Sequence, residues 1–189
     1  MSVAQLTDNL FEIFTVDDLF SDDEIEAFVA IIKAGDEKTQ RFTSSPFKNG
    51  KISLPDVSDV IWDKIRPSLP VSYYACGKTW KFIGTAATVM YAEIDVGQQF
   101  GLHTDTGCVF AKNGDVRSRH TLLIYLNDDF AGGATQFFDE SWKPSCCIQP
   151  RRNRTLCFDI DVFHQGKPVT CGNKRWLGTE LVAEVVSDV

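Results

Sequence analysis

Between Trp80 and Val186 the sequence breaks into short apolar, β-branched runs, at 80–94, 98–103, 119–126, 134–138, 145–149, 154–160, 168–170 and 175–186, with turn signals between them. Single short strands cannot bury themselves, so a succession of this kind must pair into curled antiparallel sheets. Preceded by helices, it predicts a mainly β, α+β fold: a double-stranded β-helix (jelly-roll or cupin-like) core with N-terminal helices. No linker, internal repeat or low-complexity tract interrupts it. Residues 1–189 therefore read as one domain, with 1–79 as helical support and loop and 80–186 as the double-stranded core.

The N-terminal part carries its own signals. Phe11 to Phe20 reads as a short strand running into a turn. Ser21-Asp22-Asp23-Glu24 is a capping box, because the serine can accept from the third helical N–H while the glutamate reaches back. Ile25, Phe28, Val29 and Ile32 then follow at helical spacing, and Gly35 can end the helix. Residues 36–54 are polar, with Asn49-Gly50 as a turn signal, and predict a surface loop. A second helix is expected from Pro55 to Ile65, with Val57, Val60, Ile61 and Ile65 on its buried side and Pro67 and Pro70 stopping it.

Charge and cysteine usage narrow the function. A net charge of -7 disfavours broad phosphate binding and so argues against a nucleic-acid partner. No run of apolar residues is long enough to span a membrane. Met1 to Asn9 does not read as a secretory signal, and the six cysteines contain no Cys-x-x-Cys pair. Reduced thiols and an intracellular, cytoplasmic location are the expectation.

The chemistry sits in the β half. The chain has only three histidines, His103, His120 and His164. His103 and Asp105 are two apart, so on a strand both side chains leave the same face. With His164 returning on a neighbouring strand, two imidazoles and one carboxylate can occupy one face of a metal ion. That facial set is how non-haem Fe(II) sites are built, and it leaves the opposite face open. By strand parity His120 faces away from Thr121, Leu123 and Tyr125, so it is excluded from the metal set.

Lys174 lies ten residues beyond His164. It reads either as a solvated turn lysine after Gly172-Asn173 or as the buried cation for the distal carboxylate of a dicarboxylate co-substrate. Arg175 is the second choice. Tyr125 is either a core tyrosine or a hydroxyl donor to the same carboxylate. Gly132-Gly133 allows a tight turn and leaves room for a ligand. Pro150-Arg151-Arg152-Asn153-Arg154 is basic and reads as a charged hairpin turn with Asn153 in a left-handed conformation. The segment 106–117, with Lys112-Asn113-Gly114-Asp115, is the expected flexible piece of this half.

These residues resemble the prolyl 4-hydroxylase-like branch of the Fe(II)- and 2-oxoglutarate-dependent dioxygenases. The similar stretches are Val96 to Asp105, Thr121 to Asn127, Gly132 to Phe137, Pro150 to Asn153, and His164 to Lys174. The resemblance covers roughly residues 80–185. It implies that His103, Asp105 and His164 ligate iron. It further implies that Lys174, assisted by Tyr125, binds the 2-oxoglutarate distal carboxylate, with Leu123 and Thr135 lining that pocket.

Two departures stand out. The branch often has a tyrosine two or three residues before the glycine matching Gly97, where this chain has Ile94 and Asp95; Tyr91 is then the substitute. Asn153 stands where a glycine is usual. No peptide-binding or disulfide-rich region accompanies the domain, so substrate contacts are not carried over. The implied cofactors are Fe(II), 2-oxoglutarate as co-substrate and dioxygen, with ascorbate as an auxiliary. Asp105 favours hydroxylation over halogenation, since halogenating relatives give up that carboxylate.

The expected activity is hydroxylation of an unactivated C–H bond. The substrate is a prolyl residue of a peptide or protein, or else a small molecule or free amino acid. The readings from other classes are a catalytically silent metal-binding module and a cupin-type metalloenzyme that does not use 2-oxoglutarate. Lys174 and Tyr125 argue against the latter.

Overall fold

The computed structural model describes residues 2–5, 13–34, 41 and 43–186. The predicted strand start at Phe11 and helix end at Gly35 lie outside the described residues. The N-terminal elements are β1 (Ser2–Gln5), β2 (Ile13–Asp17), helix α1 (Asp22–Ala34), β3 (Lys48–Ser53), helix α2 (Pro55–Ile65) and β4 (Tyr73–Ala75). Next come β5 (Lys78–Thr85), β6 (Thr88–Asp95), β7 (Phe100–His103), β8 (Val116–Tyr125), β9 (Ala131–Gly132) and β10 (Thr135–Phe138). The chain closes with β11 (Pro144–Ile148), β12 (Arg154–Asp159), β13 (His164–Gly166), β14 (Val169–Cys171) and β15 (Asn173–Val185).

The larger sheet runs β1-β2-β12-β8-β15-β5-β4. Its long strand β15 pairs with β8 along one edge, and with β6 and then β5 along the other. A smaller sheet, β11-β10-β13-β7, faces it, and β14 pairs with β9. Two curled antiparallel sheets backed by two helices form the predicted double-stranded β-helix.

Each helix forms where its sequence asks for it. The Glu24 carboxylate accepts from the Ser21 N–H at 2.7 Å, and the Ser21 hydroxyl accepts from the Glu24 N–H at 3.2 Å. The box is worth about 1 kcal/mol. Ile25, Phe28, Val29 and Ile32 of α1 join Ile61 and Ile65 of α2 over the outer face of the larger sheet, against Leu122, Ile124, Leu177 and Leu181. A second core fills the space between the sheets, from Ile94, Tyr125, Phe137, Ile148, Leu156, Phe158 and Trp176.

Several expectations need correction. The predicted loop 36–54 contains strand β3, which pairs with β6 from Lys48↔Glu93 to Ser53↔Thr88. Residues 36–40 and 42 of that loop lie outside the described set. Asn49-Gly50 is strand rather than turn because the ladder with β6 orders it, and Gly50 leaves room for the Tyr91 ring, which lies 2.7 Å from where a Cβ would stand. Strand β2 falls within the strand expected over 11–20, whereas β3 and β4 extend the sheet into stretches where no strand was expected. The run 80–94 is two strands, β5 and β6, broken at Ala86-Ala87. On α2, Val60 is exposed and Ser58 is buried instead, where its hydroxyl donates to the Ala86 carbonyl at 2.9 Å.

The basic turn is held as expected. Asn153 has φ 62, and its amide donates to the Phe20 carbonyl at 2.6 Å. Arg151 and Arg154 pair with Asp17, and Arg152 with Asp22 and Glu26. The cations are thus spent on the N-terminal acids. Among the described residues no helix is long and apolar enough to cross a membrane.

Candidate metal centre

His164 opens its own strand, β13, rather than trailing β12, and its Cα partner on β7 is His103. Asp105 follows β7 and is fastened by its N–H to the Ile160 carbonyl at 3.0 Å. Cross-strand pairing therefore brings together residues that are distant in sequence. One donor atom from each of His103, Asp105 and His164 lies within 4.8 Å of the others. His103 Nε2 is 3.4 Å from Asp105 Oδ1, and His164 Nε2 is 3.8 Å from Asp105 Oδ2.

The backbone sets the tautomers. His103 Nδ1 lies 2.7 Å from the Gly101 carbonyl and His164 Nδ1 lies 3.0 Å from the Val162 carbonyl. A carbonyl only accepts, so each Nδ1 carries the proton and each Nε2 presents its lone pair inward. Aromatic packing fixes the ring planes. Phe100 stacks on His103 at 4.2 Å, and Phe158 meets His164 edge-on at 4.5 Å.

Burial, aided by the neighbouring His103, holds the His164 imidazole below its usual pKa, which keeps it in the neutral form that ligates metals. Burial also opposes charge on Asp105. Its contacts with the His103 and His164 rings and the hydrogen bond from the Thr121 hydroxyl outweigh it and hold the carboxyl below the ordinary range. Two imidazole nitrogens and a carboxylate facing one point is a donor set that fits a divalent first-row metal.

A cavity of about 730 Å³ opens from this cluster. Lys174 lies at its other end, 3% exposed, on the inner face of β15. Its ammonium donates to the Gly133 carbonyl at 2.6 Å and sits 5.1 Å from the Tyr125 ring centroid. Burial lowers its pKa to about 7. A buried ammonium with no carboxylate beside it among the described residues fits an incoming anion. Gly133 makes room for it: a Cβ there would meet the Lys174 chain at 3.0 Å.

Leu123 and Thr135 line the cavity, whereas Tyr125 stands one layer behind it, its hydroxyl within 2.8 Å of the Thr135 hydroxyl. Tyr91 does not line it. Met90 and Ile94 of the same strand do, and Tyr91 points through the sheet into the core beneath the helices, so its proposed ligand role fails on strand parity. Arg175 pairs with Glu93 at 3.0 Å, away from the cavity. His120 packs edge-on against Tyr73 and Phe82 on the outer face.

The sequence reading overlooked two groups. The Thr121 hydroxyl donates to Asp105 Oδ2 at 2.6 Å. Glu180, its cross-strand partner, also lines the cavity and binds the loop after Asp105. The capacity of a threonine to hold a carboxylate was open to inference from the inward face of β8. Glu180 gave no signal, because an acid inside an apolar strand has meaning only once its neighbours are known.

A model of the 2OG-Fe(II) oxygenase superfamily matches residues 88–180. No curated protein matches in sequence. Among solved structures, the viral collagen prolyl hydroxylase vCPH of Paramecium Bursaria Chlorella virus-1, in its 2OG complex, superimposes with a TM-score of 0.62 at 22% identity, over 92% of this chain and 96% of that one. The Pseudomonas putida prolyl-4-hydroxylase gives 0.65 at 13%, over 90% and 92%. A Trichoplax adhaerens prolyl hydroxylase in complex with a hypoxia inducible factor peptide fragment gives 0.66 at 14%, over 94% and 85%.

Proposed function

Starting from this chain's membership of the 2OG-Fe(II) oxygenase superfamily, whose members use Fe(II), 2-oxoglutarate and dioxygen to hydroxylate C–H bonds, we propose that His103, Asp105 and His164 hold the iron. We further propose that Lys174 holds the distal carboxylate of 2-oxoglutarate and that the substrate is a prolyl residue of a peptide. The observation that carries the reading is one cavity with the three donor atoms at one end and a buried, carboxylate-free ammonium at the other. The prolyl assignment draws its support from the similar structures, which are prolyl hydroxylases.

Bound iron and 2-oxoglutarate supply the oxidant, with 2-oxoglutarate ending as succinate and carbon dioxide. The protein's own groups orient and protect that chemistry. The Gly101 and Val162 carbonyls fix the two imidazoles, and Thr121 fixes the carboxylate that completes the set. Lys174 neutralises the co-substrate's far end, with Leu123 and Trp176 excluding water beside it and Thr135 offering a hydroxyl.

The test is incubation with Fe(II), 2-oxoglutarate and a set of proline-containing peptides and free amino acids, followed by succinate assay and mass spectrometry. A gain of one oxygen on a peptidyl proline is expected. Succinate formed with oxygen delivered only to a free amino acid would overturn the peptide assignment. No succinate under any condition would overturn the hydroxylase reading.

A further inference from the structure

We propose that Glu180 is a specificity-determining residue that selects substrates carrying a positive charge, an ammonium or guanidinium group, close to the oxidised carbon; this rests on the hydroxylase reading above. Glu180 is the direct cross-strand partner of Thr121, so both side chains leave the same face of the sheet. Thr121 holds Asp105. The Glu180 carboxylate therefore stands next to the metal cluster, on the cavity wall, opposite the end marked by Lys174.

Its protein partners are neutral. Oε2 accepts from the Cys108 N–H at 2.7 Å and from the Ser118 hydroxyl at 2.5 Å. These two bonds clamp the loop that follows Asp105. One neutral carbonyl oxygen would serve for that, so the clamp does not explain the charge. Besides these, the Cys108 thiol bears on the carboxylate, and among the described residues no cation lies within ion-pairing distance of it. The other ammonium on the wall, Lys51, is on β3 beside Met90 and is not paired with it.

Glu180 is 5% exposed. A buried carboxylate whose protein partners are all neutral is costly unless a cation completes it. A substrate cation in the cavity does so with a charge-assisted bond. The net charge of -7 adds long-range attraction for the same ligand.

The chemistry could come from a basic side chain flanking a peptidyl proline or from the amine of a free substrate. Two probe pairs separate these sources: acetyl-Arg-Pro-Gly-amide against its citrulline analogue, and prolinamide against N-acetylprolinamide. Each pair is titrated calorimetrically into the iron- and 2-oxoglutarate-loaded protein and then assayed for succinate. In one pair the cationic member should bind at least about tenfold more tightly. In Glu180→Gln, which keeps an oxygen for the Cys108 and Ser118 donors, that preference should fall to within about threefold, with an unchanged melting temperature reporting an intact clamp. Equal binding of cationic and neutral members in both pairs overturns the proposal. So does a preference that survives in Glu180→Gln. Because binding is read separately from turnover, a selective protein that forms no succinate would support the Glu180 assignment and count against the hydroxylase reading instead.

Discussion

The Thr121 hydroxyl donates to Asp105 Oδ2 at 2.6 Å, across from the oxygen that faces His103. This bond ties the carboxylate of the loop after β7 to the central strand of the larger sheet. Without it Asp105 keeps its backbone anchor to Ile160 and its contacts with the two histidine rings, but loses its one hydroxyl donor. Thr121→Val preserves the shape and removes the donor. Metal affinity should fall about 10- to 100-fold, as is usual when a group orienting a ligand is lost. Titration of the apoprotein with Fe(II) under anaerobic conditions, or with Mn(II), measures it. An unchanged affinity would show that the loop alone positions Asp105.

Lys174→Ala should raise the Kd for 2-oxoglutarate by at least about a hundredfold, since losing one partner of a buried charge pair costs about 3–5 kcal/mol. Metal affinity should stay within about threefold, because Lys174 bonds to Gly133 and to none of the three donor residues. The apoprotein should be no less stable than wild type, for the substitution removes a buried ammonium whose single hydrogen bond is to a neutral carbonyl. Calorimetric binding and thermal unfolding separate the effects. Wild-type affinity for 2-oxoglutarate would exclude the role.

The same lysine sets a pH dependence. Burial lowers its pKa to about 7 in the free protein, and a bound carboxylate must raise it. Binding of 2-oxoglutarate then takes up a proton wherever the pH exceeds the free value. Affinity should be flat below about pH 7 and weaken above it, approaching tenfold per unit, until the pH reaches the raised value. In Lys174→Met the slope above pH 7 should vanish. Calorimetry in two buffers of different ionisation enthalpy checks the sign of the proton exchange.

How far the sequence could be read follows from which contacts are local. The capping box at Ser21 and the extent of α2 depend on neighbours within a turn, and both form as expected. Period-two alternation on β8 correctly separates Thr121 and Leu123, which line the cavity, from His120 and Leu122, which do not. On β6 the same alternation points Met90 and Ile94 into the cavity and turns Tyr91 away from it. Strand β3 escaped notice because Lys48-Asn49-Gly50-Lys51 has no strand propensity of its own; its ladder with β6 supplies the order. The pairing of β13 with β7, which sets His164 opposite His103, is likewise non-local.

His120 gives the sharpest contrast among the histidines. It shares β8 with Thr121, yet its ring lies 5.5 Å from Tyr73 and 5.2 Å from Phe82, both edge-on, on the helix side of the sheet. It is buried there, so His120→Ala opens a cavity. The cost should be about 2–4 kcal/mol, below that for a larger aromatic. A fall in melting temperature of roughly 5 °C or more should follow. Metal stoichiometry should remain that of wild type below the melting transition, because the sheet backbone separates this ring from the three donor atoms. His103→Ala reverses both results: its ring is partly exposed, so stability changes little, while metal binding is largely lost. Loss of metal from a folded His120→Ala protein would show that the outward-facing histidine contributes to the centre after all.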